Sequence, residues 1–200
     1  MPWRRVAELP LFPLRTVLFP GGLLPLRIFE TRYTDMVGRC LREDGEFGVL
    51  LVTAAGEGSP GAALARVGTS ARIIDFNTLP DGLLGLMCRG VRRFRLQQHR
   101  MQSDGLYLGT VQWLVEPEPS RLEPQHRPLA QVLRRVLEEL GDTARHLEAD
   151  FDDAGWVANR LAELLPLERS DQQALLEMSD PQERLRQLAP LIEVPEDPPP

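Results

Sequence analysis

Residues Leu9–Glu30 read LPLFPLRTVLFPGGLLPLRIFE. Four prolines (Pro10, Pro13, Pro20, Pro25) and the pair Gly21-Gly22 punctuate a dense apolar run whose only basic residues are Arg15 and Arg27. Proline fixes φ and has no amide donor, so no long helix can run through the segment. The expectation is three short extended pieces, Leu9–Leu14, Val17–Phe19 and Leu23–Phe29, joined by turns such as Pro20-Gly21-Gly22. The period then changes. Tyr33, Met36, Val37, Cys40 and Leu41 share one helical face, which predicts an amphipathic helix over Thr31–Arg42 that ends at Glu43-Asp44-Gly45.

Downstream, FGVLLVT (Phe47–Thr53) reads as a buried strand, followed by a Gly/Ser/Pro loop at Gly56–Gly61. Three β-rich runs come next, Leu64–Leu79, Leu83–Gln98 and Leu106–Val115, broken by Pro80-Asp81-Gly82 and Ser103-Asp104-Gly105. Short turns between strands predict antiparallel pairing and a small β barrel or sandwich with one inserted helix. Glu116-Pro117-Glu118-Pro119 reads as a stiff charged linker. Beyond it the period is helical. Leu129, Val132, Leu133, Val136, Leu137 and Leu140 form a stripe that Gly141 ends, and a second helix spans about Gly155–Leu165. A third is predicted to start at Ser170 with Gln173 completing a capping box, and a fourth at Asp180-Pro181. The expected division is a β-rich part over residues 1–118, a helical part over 119–194 and a disordered or polyproline-like tail over 195–200. There is no internal repeat.

Charge follows the same division. Residues 1–118 hold 14 Arg against 12 acids, and residues 119–200 hold 9 Arg against 17 acids. A net charge of −6 argues against a strongly basic nucleic-acid protein. All 23 basic residues are arginine. Without lysine there is no Walker-type loop, no Ser–Lys dyad and no Schiff base. Cys40 and Cys88 lack metal or redox spacing and read as buried thiols of a reducing compartment. The N-terminus has no signal-peptide pattern, so a cytoplasmic location is expected.

Several motifs are weighed and set aside. Gly56–Gly61 matches G-x-G-x-x-G, with Asp75 downstream, but no helix opens at its third glycine, so a hairpin loop is the better reading. The run Asp150–Gly155 lacks an acidic twelfth ligand, where Leu161 stands, so Asp152 or Asp153 is expected to cap a helix and not to hold calcium. His99, His126 and His146 lack metal-ligand spacing and are expected at the surface or at helix ends. No serine sits in a nucleophile elbow. The basic run Arg89–Arg100 reads either as a stripe for phosphate or an acidic partner, or as the solvated face of a strand carrying Arg93 and Arg95 opposite Phe94 and Leu96. Exposed aromatics for base stacking are not evident. No catalytic, cofactor-binding or metal residue is expected, and the substrate-binding residues are unknown.

LPLFPLRTVLFPGGLLPLRIFETRYTDMV closely resembles the opening of the LON domain, the N-terminal substrate-binding region of ATP-dependent Lon proteases, and above all the free-standing bacterial forms. The similarity continues through Phe47–Leu51, Val67–Ile73, Asp81–Leu83, Arg89–Leu96, Tyr107–Trp113 and Leu175–Leu188, although Leu83 stands where the free-standing family usually has arginine. The resemblance implies an α+β fold, a PUA-like antiparallel β pseudo-barrel with one inserted helix followed by a C-terminal helical bundle. It also implies a non-catalytic role in recognising a polypeptide or protein partner, or as an adaptor linked to protein quality control, with no cofactor and no membrane. RNA binding is the alternative. Oligomeric state stays open.

Overall fold

The computed structural model describes residues 6–53 and 63–192. The Gly56–Gly61 loop and the expected tail at 195–200 lie outside the described residues. Six strands and five α-helices follow the chain in the order β1 (Val6–Leu14), β2 (Leu23–Ile28), α1 (Thr31–Glu43), β3 (Phe47–Leu51), β4 (Val67–Thr78), β5 (Leu84–Met101), β6 (Tyr107–Trp113), α2 (Arg127–Leu140), α3 (Ala154–Leu164), α4 (Arg169–Glu177) and α5 (Pro181–Leu188). The fold is mixed α+β.

The sheet runs β2-β5-β4-β3-β1-β6, and β6 pairs again with β5, so five strands close into a ring with β2 outside it. The long strand β5 makes this possible. Its first half, Leu84–Arg89, pairs with β2, and its second half, Phe94–Met101, pairs with β6. One pairing differs from the expected antiparallel pattern, since β1 and β3 run parallel. The intervening β2 and α1 supply the crossover that a parallel pair needs.

Prolines inside β1 are accommodated by staggered pairing. β6 covers Val6–Leu11 on one edge, while β3 covers Leu11–Leu14 on the other. Pro10 and Pro13 therefore each sit where one edge of the strand has no partner, which suits a residue without an amide donor.

The predicted piece Val17–Phe19 is not a strand. Its residues are buried, and its backbone is satisfied from elsewhere: Thr69 Oγ1 donates to the Leu18 carbonyl at 2.5 Å, and the Phe19 amide donates to Glu163 Oε1 at 3.1 Å. The chain then reverses at Pro20-Gly21-Gly22. Gly21 takes a φ of +75°, and the turn locks onto β5 through Gly21 N to Gly90 O at 2.8 Å and Gly90 N to Gly22 O at 2.9 Å. A Cβ at Gly90 would strike the Phe19 carbonyl, and one at Gly22 would strike the Glu163 carboxylate.

Helix α1 ends at Asp44, which takes the left-handed conformation at φ +48°. It buries Tyr33, Met36, Val37 and Cys40, which pack with Phe47, Cys88 and Leu106. A second apolar cluster joins the two halves of the chain. Phe19, Leu51 and Val67 pack with Leu133 of α2, Val157 and Leu161 of α3, Leu176 of α4 and Leu185 of α5. The expected caps are present at α3, where Asp153 Oδ2 accepts from Trp156 N at 2.7 Å, and at α5, where Asp180 Oδ1 accepts from Gln182 N at 2.9 Å. The expected capping box at Ser170 is absent. Helix α4 begins one residue earlier, with Glu168 at its N-cap, and the Gln173 amide donates to the Val67 carbonyl at 3.0 Å.

Gly90→Ala is expected to cost about 1–3 kcal/mol, because the added methyl meets backbone that cannot yield. Gly82→Ala meets no neighbour at its φ of +84° and should cost only about 1 kcal/mol of left-handed strain. Urea unfolding of both variants checks the order; equal losses would contradict this account of the turn.

Candidate functional site

Two concave surfaces flank β2. The first is a groove of about 510 Å³ between the end of β1 and β2. Phe12, Leu14, Pro25, Leu26, Tyr33 and Tyr107 line it, with Phe29 at its margin, 72% exposed. Among the described residues the outer edge of β2 has no strand partner. Phe12 stacks on Tyr33 with ring centroids 4.0 Å apart, and burial raises the Tyr33 phenol above its ordinary pKa. Charges of both signs rim the groove: Arg27 pairs with Asp81, and Arg32 pairs with Glu30 at 2.6 Å while donating to the Gly105 carbonyl at 2.7 Å. An apolar floor with mixed charges above it and a free strand edge beside it suits an extended apolar segment. It offers no nucleophile held against a base.

The second surface is a cleft of about 280 Å³ between residues 16–18, the start of β2 and the helices, walled by residues such as Leu23, Met87, Leu137, Leu140 and Leu147. Arg160 and Glu163, one turn apart on α3, both line it, with Arg160 Nη2 3.1 Å from Glu163 Oε2. Arg160 also donates to the Pro20 carbonyl at 2.9 Å. Burial pushes the Glu163 carboxyl up to about 7, against the opposing pull of Arg160 and of the Phe19 amide.

The basic run does not form an open stripe. Arg89 pairs with Glu148 and donates to the His146 carbonyl at 2.6 Å. Arg92 lies 3.7 Å from the Trp113 ring centre, and Arg100 pairs with Glu8 at 3.2 Å. Arg95 is exposed. Arg93 corrects the expected solvated face: it is 2% exposed, beside the equally buried Phe94. Its Nε meets Glu116 at 3.0 Å, and its Nη1 donates to the carbonyls of Leu176 and Met178 at 2.8 and 2.7 Å. Glu116, read as part of a stiff charged linker, thus holds the guanidinium by which Arg93 ties the sheet to the end of α4. Arg184 works beside it, donating to the carbonyls of Leu175 and Met178 at 2.8 and 2.6 Å and to Asn159 Oδ1 at 2.7 Å. Burial, then Arg93, lowers its pKa to about 10.

The remaining candidates scatter. His99 packs edge-on to Tyr107 on exposed strand, and His146 is half-buried near Arg89. His126 is buried at the start of α2, against the expected exposure but at the expected helix end, with Nδ1 3.2 Å from Gln182 Oε1. Among the described residues no three His, Cys, Asp or Glu side chains gather as metal ligands, and no helix is long and apolar enough to cross a membrane. Exposed aromatics do exist: besides Phe29, Phe76 is 57% exposed. The periodicity marked strand there, but not which end of the strand outruns its cover.

Sequence reasoning missed the buried arginines. A signal existed for two of them. Arg160 stands at i+3 from Val157 and beside Leu161 on the apolar stripe of α3, and Arg184 holds the same place between Pro181 and Leu185 on α5. An arginine on a core stripe calls for carbonyls or a carboxylate opposite it. Nothing in the alternation of β5 distinguished Arg93.

The described residues thus form a ring of strands with a flanking edge strand, a helical face and an apolar groove beside the free edge. The profile of the ATP-dependent protease La (LON) substrate-binding domain matches residues 8–194. The chain belongs to that family. It is 30% identical over 193 residues to Lon protease 2 of Myxococcus xanthus and 29% identical over 193 residues to Lon protease of Roseiflexus castenholzii, covering 92% of this chain in each case. It spans only 23–24% of the length of those relatives. The crystal structure of a Lon N-terminal domain protein from Xanthomonas campestris superimposes with a TM-score of 0.77 at 41% identity, covering 94% of this chain and 99% of that one. The N-terminal domain of Lon protease from Mycobacterium avium complex shares the fold, with a TM-score of 0.62 at 18% identity.

Two measurements check the buried groups. Because the folded state retains a proton on Glu163 that the unfolded chain releases, unfolding free energy should fall as pH rises from about 4.5 to about 7. Glu163→Gln should flatten that slope by about 1–3 kcal/mol across the window. Urea titrations at both ends of the window read it, and an unchanged slope contradicts the assignment. Burial also raises both thiols, Cys88 up to about 12. Neither should react with a disulfide reagent in the native protein, and both should react in denaturant.

Proposed function

We propose that this domain is a non-catalytic polypeptide-recognition module, and that the groove between β1 and β2 is where an extended apolar segment docks. The observation that carries the reading is the juxtaposition of the unpartnered β2 edge, the apolar floor and the exposed Phe29 in a member of a substrate-binding family. Strand addition along β2 would supply main-chain hydrogen bonds that are indifferent to sequence, and the floor would select apolar side chains. Recognition of that kind suits unfolded or degradation-prone chains, and an adaptor role in protein quality control follows from it. The absence of lysine supports a domain without protease or ATPase chemistry of its own. In the same reading the fold is a PUA-like pseudo-barrel over residues 1–118 with a helical bundle over 119–194, working in the cytoplasm. RNA is the weaker partner, because Arg89, Arg93 and Arg100 spend their charge on carboxylates.

Phe29→Ser should leave the unfolding midpoint in place, since the ring is mostly exposed. It should weaken binding of a reduced, alkylated and therefore permanently unfolded polypeptide about tenfold, or about 1.4 kcal/mol. Fluorescence anisotropy reads the affinity. Unchanged binding by the variant, or binding to structured RNA that collapses with added salt and exceeds that of the polypeptide, would overturn the proposal.

A further inference from the structure

We propose that the cleft between residues 16–18, the start of β2 and helices α2 and α3 is a second site, which takes the C-terminal carboxylate of a polypeptide whose last side chains are apolar. This rests on the polypeptide reading and adds a substrate class to it.

Arg160 is the reason. The residue is 1% exposed and lines the cleft. Its Nη2 is engaged by Glu163 and the Pro20 carbonyl, but its Nε and Nη1 are buried with no hydrogen-bond partner. Folded proteins rarely leave charged donors in that condition, because an unmet buried N–H costs the full desolvation of the group. Most of the cleft's lining is apolar, with Thr16, Glu163, Arg169 and Gln172 the polar exceptions beside Arg160. Leu23, Met87, Leu137 and Leu147 form walls, and Leu164, 40% exposed, stands at the mouth. What such a setting lacks is an anionic acceptor carried on an apolar body. In a polypeptide, a carboxylate carried directly beside apolar side chains is found at the chain end. Glu163 keeps the Phe19 amide and Arg160 Nη2, the incoming carboxylate takes the donors of Arg160 that Glu163 leaves unmet, and Arg169, which also lines the cleft, adds a second positive charge. An incoming ammonium would meet Arg160 and be refused.

The test uses the full chain and four probes in anisotropy or calorimetry: a peptide ending in apolar residues as the free acid, the same peptide as its C-terminal amide, the unfolded polypeptide with blocked ends, and decanoate. The free acid should bind about tenfold more tightly than the amide, the loss expected when a carboxylate's partners are left unpaired. Leu164→Glu, at an exposed position that folding tolerates, should abolish that preference and leave binding of the blocked polypeptide intact. Equal affinity for acid and amide overturns this site and leaves the groove standing. Failure of every polypeptide probe, blocked chain included, overturns the groove reading and this inference together. Decanoate binding more tightly than the free-acid peptide overturns the chain-end assignment in favour of a small amphiphile.

Discussion

Arg160 and Glu163 of α3 grip the Phe19–Gly22 turn, and the placement of everything around β2 depends on that grip. Glu163 accepts the Phe19 amide, Arg160 donates to the Pro20 carbonyl, and the two side chains pair with each other. From the other side Gly90 of β5 exchanges two backbone hydrogen bonds with Gly21 and Gly22. The turn is therefore held between sheet and helix. Removing one member of a buried pair costs about 3–5 kcal/mol because the other charge is stranded. That is comparable to the loss of a large core side chain, and a substantial part of the few kcal/mol by which a domain is stable.

The grip has a structural consequence. Once the turn is fixed against Gly90, β2 must leave along the first half of β5, and β6 takes the second half of the same strand. The sheet closes without β2, whose outer edge is left beside the end of β1. Pro13 and Pro25 both line that gap, and proline blunts a strand edge against indiscriminate pairing. The groove is thus a seam left by the way the ring closes, floored with the aromatic stack of Phe12 and Tyr33. Buried arginines reach carbonyls twice more: Arg93 ties the ring to the carbonyls that end α4, and Arg184 of α5 takes that same end from within the helical part.

Much of this was legible in the sequence, for reasons that can be named. The prolines and glycines of Leu9–Glu30 exclude helix and mark the turn, and helical periodicity placed α1 and α2 within a few residues. Asp153 and Asp180 announced their helices because caps are local chemistry. The irregular course of Val17–Phe19 was not legible, because Thr69 and Glu163, distant in sequence, satisfy its backbone. Nor was the parallel β1–β3 pair, since hydrophobic alternation carries no direction. Arg93 was read as solvated because alternation assigns faces but not what covers them, and here the carbonyl end of α4 covers the face. The place of the groove was not legible either. Which edge stays free follows from the double use of β5, a long-range fact.

Backbone amide hydrogen exchange of the full chain, with and without a saturating unfolded polypeptide, tests the central claim most directly. Docking in the seam should slow exchange in residues 12–14 and 23–30, where an added strand would satisfy the open edge of β2. Protection confined to the exposed face of β5 around Arg95, with those two segments unchanged, would contradict it.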